Sequence, residues 1–381
     1  MFGSLDIGIL RAKHQRRTGK YRFARCFVER GLTQTLIADS NWRLQKTGVQ
    51  FSRVSHYQKN YIGAFIGDGR PLLAFMGVSL CLCGGFALFL SATGHFLPHD
   101  IQFLGMTAET LCGLNQCRIV HFMFHDRVAF GGSLIALGSL YMWMAEFPLR
   151  QGEAWVWWLF LLSGITGFGS FLAYLGYGYL DTWHGMATLL LLPCFAIGLY
   201  RSSRILIAPK NPGTLLIPAV RIPWNTRYGL GRLCLLLVAA GMIGGGVVIM
   251  LFGMTRVFVP QDLEFLGLKP ADLYAVNPRL IPLIAHDRAG FGGGVSTCGI
   301  MVGFLIWCGR PCRSLWQVLL IAGSAGFATA VGIHFVIGYV DFIHLAPAVL
   351  GLLLFVMGMI LLKKPMYERD TLDLHADKQT I

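Results

Sequence analysis

Eight runs of mostly apolar residues leave this chain few folds to choose from. They lie at roughly 71–94, 121–144, 154–179, 182–200, 230–254, 283–308, 315–340 and 343–362, and each is long enough for a helix to cross about 30 Å of hydrocarbon. In lipid every backbone N–H and C=O must find its partner within the protein, and single runs of this length do so as helices. Composition agrees. Of 381 residues, 55% are hydrophobic and only 13% charged, which argues against a soluble enzyme. The expected class is an all-α integral membrane protein with eight transmembrane helices.

A net charge of +13 raises the question of nucleic acid, and its distribution answers it. Of the 32 lysines and arginines, 26 fall in residues 1–70, in the 145–153, 201–232 and 309–314 connections, and after residue 362. The other six, Arg118, Arg127, Arg256, Lys269, Arg279 and Arg288, fall at the opposite ends of the spans. This is a membrane topology signal: the termini are expected in the cytoplasm, in a cell inner (plasma) membrane. No apolar stretch precedes residue 71, so no cleavable signal peptide is expected. Residues 1–70 form a basic region suited to anionic lipid headgroups, at about 1 kcal/mol per Lys or Arg, or to docking a soluble partner.

An internal repeat organises the rest. His121-Phe-Met-Phe-His-Asp-Arg-Val-Ala-Phe-Gly-Gly132 is echoed by Pro282-Leu-Ile-Ala-His-Asp-Arg-Ala-Gly-Phe-Gly-Gly293, and Phe96-Leu-Pro-His-Asp100 by Phe258-Val-Pro-Gln-Asp262. Each His-Asp-Arg is followed about 55 residues later by Asp-x-x-His: Asp181 and His184, then Asp341 and His344. A period of about 160 residues holds four spans, an even number, so both units enter the membrane from one side as parallel repeats. The expected architecture is two parallel four-helix bundles, 71–205 and 230–364, joined by a basic linker at 206–229 and followed by a tail at 365–381.

Within each unit the second and fourth spans run the same way and start at their histidines. This predicts two outer-leaflet sites, pairing His125 with His184 and His286 with His344. Ionisable groups at such positions are costly and mark function. Imidazole pairs between facing helices suit haem as axial ligands, with Asp181 and Asp341 on the same face to orient them and Arg127 and Arg288 to hold propionates. The double glycines two turns along favour close helix packing or a flat ligand. His334 matches Tyr174 of the first unit and so stands outside the repeated set. Cys112 and Cys117 in the first outer loop form a structural or redox-active pair.

Other readings of the same residues remain. His-Asp-Arg at a helix mouth also suits an interfacial ion-pair cluster, with Asp126 on the helix dipole. A divalent metal enzyme would use His121, His125, Asp126 and His184, with Asp126, Asp287 and His121 as candidate catalytic groups. A transporter with rocking parallel repeats is the third, although the middles of the spans are almost free of charge.

Eight spans in two four-helix units, histidines at the outer ends of spans two, four, six and eight, and a cysteine pair in the first outer loop resemble the haem A synthase family. That family's histidine-arginine pair differs here by an inserted aspartate, Asp126 or Asp287, and Phe122 stands where its glutamate precedes the histidine. The resemblance implies a membrane oxidoreductase or electron-transfer protein, with haem b in one unit and a substrate or second haem in the other. Electrons would come from quinol or a cytoplasmic dehydrogenase docked on residues 1–70.

Overall fold

The computed structural model describes residues 61–172, 179, 182–207 and 210–378. The described residues belong to one compact unit within Asn60–Ile381. Residues 1–60 of the basic region 1–70, and Asp181, lie outside the described residues.

Helices are the regular structure of the described residues, which contain no strands. The long helices are α1 (Arg70–Thr93), α2 (Arg118–Glu146), α3 (Ala154–Leu172), α4 (Thr182–Ser202), α5 (Arg227–Gly253), α6 (Leu280–Cys308), α7 (Arg313–Ile337) and α8 (Phe342–Lys378). Seven are long and apolar enough to cross a membrane, while in α3 the apolar stretch Ala154–Ser170 is shorter. Local signals set several ends. Pro71 opens α1, Thr226 accepts a hydrogen bond from Gly229 N–H to start α5, and Gly94 and Gly338 close α1 and α7 with φ of +72° and +76°, which side chains resist. The last helix continues past Pro365 to Lys378, where the sequence suggested a separate tail from residue 365.

α2 and α6 are central. Their apolar windows are 72% and 67% buried, against 17–28% for the five other long apolar spans. Each packs on the helix before it through bare glycines: a Cβ on Gly84 would strike the carbonyl of Gly131, and one on Gly246 that of Gly292. Gly246→Val is therefore expected to lower stability by about 1–3 kcal/mol through overpacking. Gly244→Val, facing open space, should change it little. Thermal unfolding of both variants in detergent checks the difference.

The four-helix units do not stay apart. α2 packs along α7 of the other repeat, and α6 along α3. Gly132 of α2 sits against Thr329 of α7, and its counterpart Gly293 of α6 against Ser170 of α3. The expectation of two separate bundles assumed that consecutive helices surround one core. Here each central helix passes its histidine end into the neighbourhood of the other repeat.

At that end, short helices Pro98–Leu104 and Ala108–Cys112 follow α1, and Pro260–Leu266 and Pro270–Val276 follow α5; Pro260–Leu266 packs against α2. They interlock symmetrically. Asn115 donates to the Leu266 carbonyl at 3.0 Å and Asn277 to that of Leu104 at 2.7 Å, capping each other's helix ends. Cys112 and Cys117 are joined by a disulfide in this layer. At the opposite end Arg232 lies over the Trp307 ring and donates to the carbonyls of Val220 and Trp307, fastening the linker to α5 and α6.

Candidate metal centre and its apolar cavity

The helix crossing decides which histidines meet. His125 on α2 lies against His334 near the end of α7 and His344 at the start of α8, with ring centroids 4.4 and 5.7 Å away. One ring nitrogen from each of the three lies within 4.8 Å of the other two, and among the described residues no other such group of histidine, cysteine or carboxylate side chains forms. His125 is thus brought to the second repeat's histidines, where the expected pairing was with His184. The backbone of His184 lies in the first turn of α4; its side chain is outside the described residues. His121 sits one turn before His125, outside the cluster. His286 faces the first repeat, its ring 4.9 Å from that of Tyr179.

The ring nitrogens have defined partners. His125 Nδ1 lies 2.9 Å from Asp126 Oδ1 and His334 Nδ1 2.7 Å from the Ala330 carbonyl. Both partners are acceptors, so each Nδ1 carries the proton and each Nε2 presents a lone pair. The two Nε2 atoms face one another at 3.0 Å. Lone pairs at that separation repel unless an electrophile, a proton or a metal ion, is shared between them. Tyr339 stacks on His344 at 4.5 Å and fixes the third ring.

Behind the rings lies a doubled network of ion pairs. Asp126 accepts from Arg288 Nε at 3.2 Å, and Arg288 Nη1 donates to Asp262 at 2.7 Å and to the Val257 carbonyl at 2.7 Å. Tyr339 hydroxyl donates to the other oxygen of Asp262 at 2.8 Å. The mirror set joins His286 to Asp287 at 3.1 Å, Asp287 to Arg127 at 2.8 Å, Arg127 to Asp100 at 2.7 Å and Tyr179 hydroxyl to Asp100 at 2.7 Å. In the loop helix, burial alone drives the Asp100 carboxyl up, but the Arg127 guanidinium and the Tyr179 hydroxyl outweigh it and hold the group below the usual carboxylate range.

Three expected roles change accordingly. Arg127 and Arg288, expected to hold propionates, each bridge two aspartates across the repeats, and Arg288 also holds a carbonyl. The groups that orient the histidine rings are Asp126 and Asp287, which had been candidate catalytic groups. Asp341 instead caps α8, accepting from the His344 backbone N–H at 2.8 Å. Asp100 and Asp262 were visible in the repeat, but only the fold shows that they anchor the arginines.

A cavity of about 620 Å³ opens beneath the three-histidine cluster, lined by α2, α5, α6, α7 and α8. A second, about 280 Å³, adjoins His286, Asp287, Arg127 and Asp100 and is lined by α1, α2, α3, α4 and α6. Each is thus built from one repeat plus the central helix of the other. No family model, curated protein or solved structure matches this chain. Its chemistry must be argued from these residues.

The cluster fits a metal ion on three counts. Two tetrahedral ligands at bond lengths of about 2.0–2.1 Å stand about 3.3 Å apart, close to the 3.0 Å between His125 and His334 Nε2. Carboxylate and carbonyl acceptors behind ligating imidazoles are the usual second layer. An all-imidazole set suits zinc, copper, iron or nickel.

Proposed function

We propose that the protein is an integral membrane metalloenzyme in which His125, His334 and His344 hold one transition-metal ion at the mouth of a lipid-facing cavity. The convergence of three ring nitrogens, two with their protons committed elsewhere, carries this reading. Three protein ligands leave a coordination position for substrate or water, as catalytic sites do. Such an ion supplies Lewis acidity or redox chemistry to a group placed there. Asp126 and Arg288 hold His125 in register; Tyr339 and the Asp341 cap hold His344. The lysine and arginine asymmetry supports the centre at the outer face and the termini in the cytoplasm.

A second reading is haem on His125 and His344, and the size of the larger cavity favours it. His334 argues against it, because its Nε2 occupies the space beside His125 Nε2 that the macrocycle needs. Metal analysis and an optical spectrum of the detergent-purified full chain test both. The expected result is close to one transition-metal ion per chain, lost in His334→Ala, with no Soret band. A Soret band with sharp reduced bands that survives His334→Ala would establish haem instead.

A further inference from the structure

The shape of the larger cavity names the class of molecule that reaches the centre, given the metal reading above. Its walls follow α2 from His125 to Leu140 and α7 from Leu319 to His334. At 1.5 Å per residue these are paths of about 22 Å, longer than one leaflet of a core about 30 Å thick. The cavity is therefore a long slot with the histidines at one end.

The slot has a side opening. α5 and α8 meet at their far ends, where Arg227 donates to the Leu361 and Ile360 carbonyls and Gly231 abuts Leu362. Towards the histidines the slot lies between them. There α5 presents Gly241 and Gly245, at which a Cβ would touch nothing. Leu237 and Val248 of α5 and Leu350 of α8 line the cavity and are at least half exposed, so it faces the hydrocarbon sideways.

The head end sets what meets the ligand. Arg288 is the single Lys or Arg among the described lining residues, and its Nε and Nη1 donate to Asp126, Asp262 and the Val257 carbonyl. The open side of the cluster is where an oxygen of the ligand's head would meet an ion held by the three ring nitrogens. From the juxtaposition of a three-histidine cluster with a leaflet-length lateral slot, we infer that the ligand is a lipid with an oxygen-bearing head, entering between α5 and α8 with its head at the histidines.

The test uses the full chain in lipid nanodiscs and a hexadecanol carrying a mid-chain diazirine, with crosslinks mapped by peptide mass spectrometry. Labelling should concentrate on α5 and α8 residues of the slot. It should fall at least fivefold in Gly245→Leu and in Gly241→Leu, either of which fills the slot. Even labelling of all lipid-facing helices, or labelling indifferent to both substitutions, overturns the slot. Metal content of the same samples is read separately: a metal-free wild type that still labels the slot refutes the metal reading alone, and a metal-loaded protein that does not label refutes the lipid.

Discussion

His334→Tyr is expected to empty the centre, lowering metal affinity by roughly 100-fold or more, since even partners behind a ligand are worth about 10–100-fold. Tyrosine is the informative substitute because the matching position of the first repeat is Tyr174. The change removes one ligand and the 3.0 Å face-to-face pair of ring nitrogens while keeping an aromatic ring on α7. Asp126→Asn provides the graded comparison. It keeps the shape, weakens the acceptor behind His125, and should cost about 10–100-fold. Chelator competition on purified protein reads both. Unchanged affinity in His334→Tyr would mean that His125 and His344 suffice, which would return the centre to a two-histidine ligand such as haem.

Arg288→Met is expected to be among the most damaging single changes, at about 3–5 kcal/mol, the usual consequence of stranding buried partner charges. It leaves Asp126 and Asp262, 2% and 0% exposed, without their shared cation and frees the Val257 carbonyl. That carbonyl belongs to a β-branched residue held at φ +67°, a conformation that needs outside support. Arg127→Met should do less harm, because the Arg127 and Asp287 side chains are 15% and 8% exposed and water can partly replace the lost pairing. Chemical unfolding in detergent orders the two. Equal, small losses would show that these ion pairs do not fasten the repeats to one another.

Much of the frame was legible because hydropathy and covalent repetition are local. The helices begin and end within a few residues of the apolar runs, apart from α3, which is described only to Leu172 where the run extends to 179, and the long extension of α8. Asp100, Asp262, both His-Asp-Arg copies and, of the Asp-x-x-His copies, Asp341 and His344 make the contacts described above. What local pattern does not carry is which helices become neighbours. α2 is buried along most of its length, so hydropathy does not choose its neighbours; fits such as Gly132 against Thr329 are visible only once both helices are placed. The same gap misassigned the arginines, whose aspartate partners Asp287 and Asp126 lie about 160 residues away. His334 was set aside for a different reason. It breaks the repeat, and reading by symmetry discards the position where the halves differ. His334 and His344 on consecutive spans, with His125 at the same end of α2, were the signal that metal ligation, rather than matching pairs, makes visible.

The crossing of α2 and α6 also bears on what a half of this molecule is. Severed in the 206–229 linker, neither piece would own an intact centre: one would keep His125 without His334 and His344, the other those two without His125. The relation is that of two like subunits trading a histidine, tied here into one polypeptide. A true homodimer must carry the same residue in both places. A tandem chain need not, so position 334 is histidine while position 174 is tyrosine, and the two halves are at liberty to do different work.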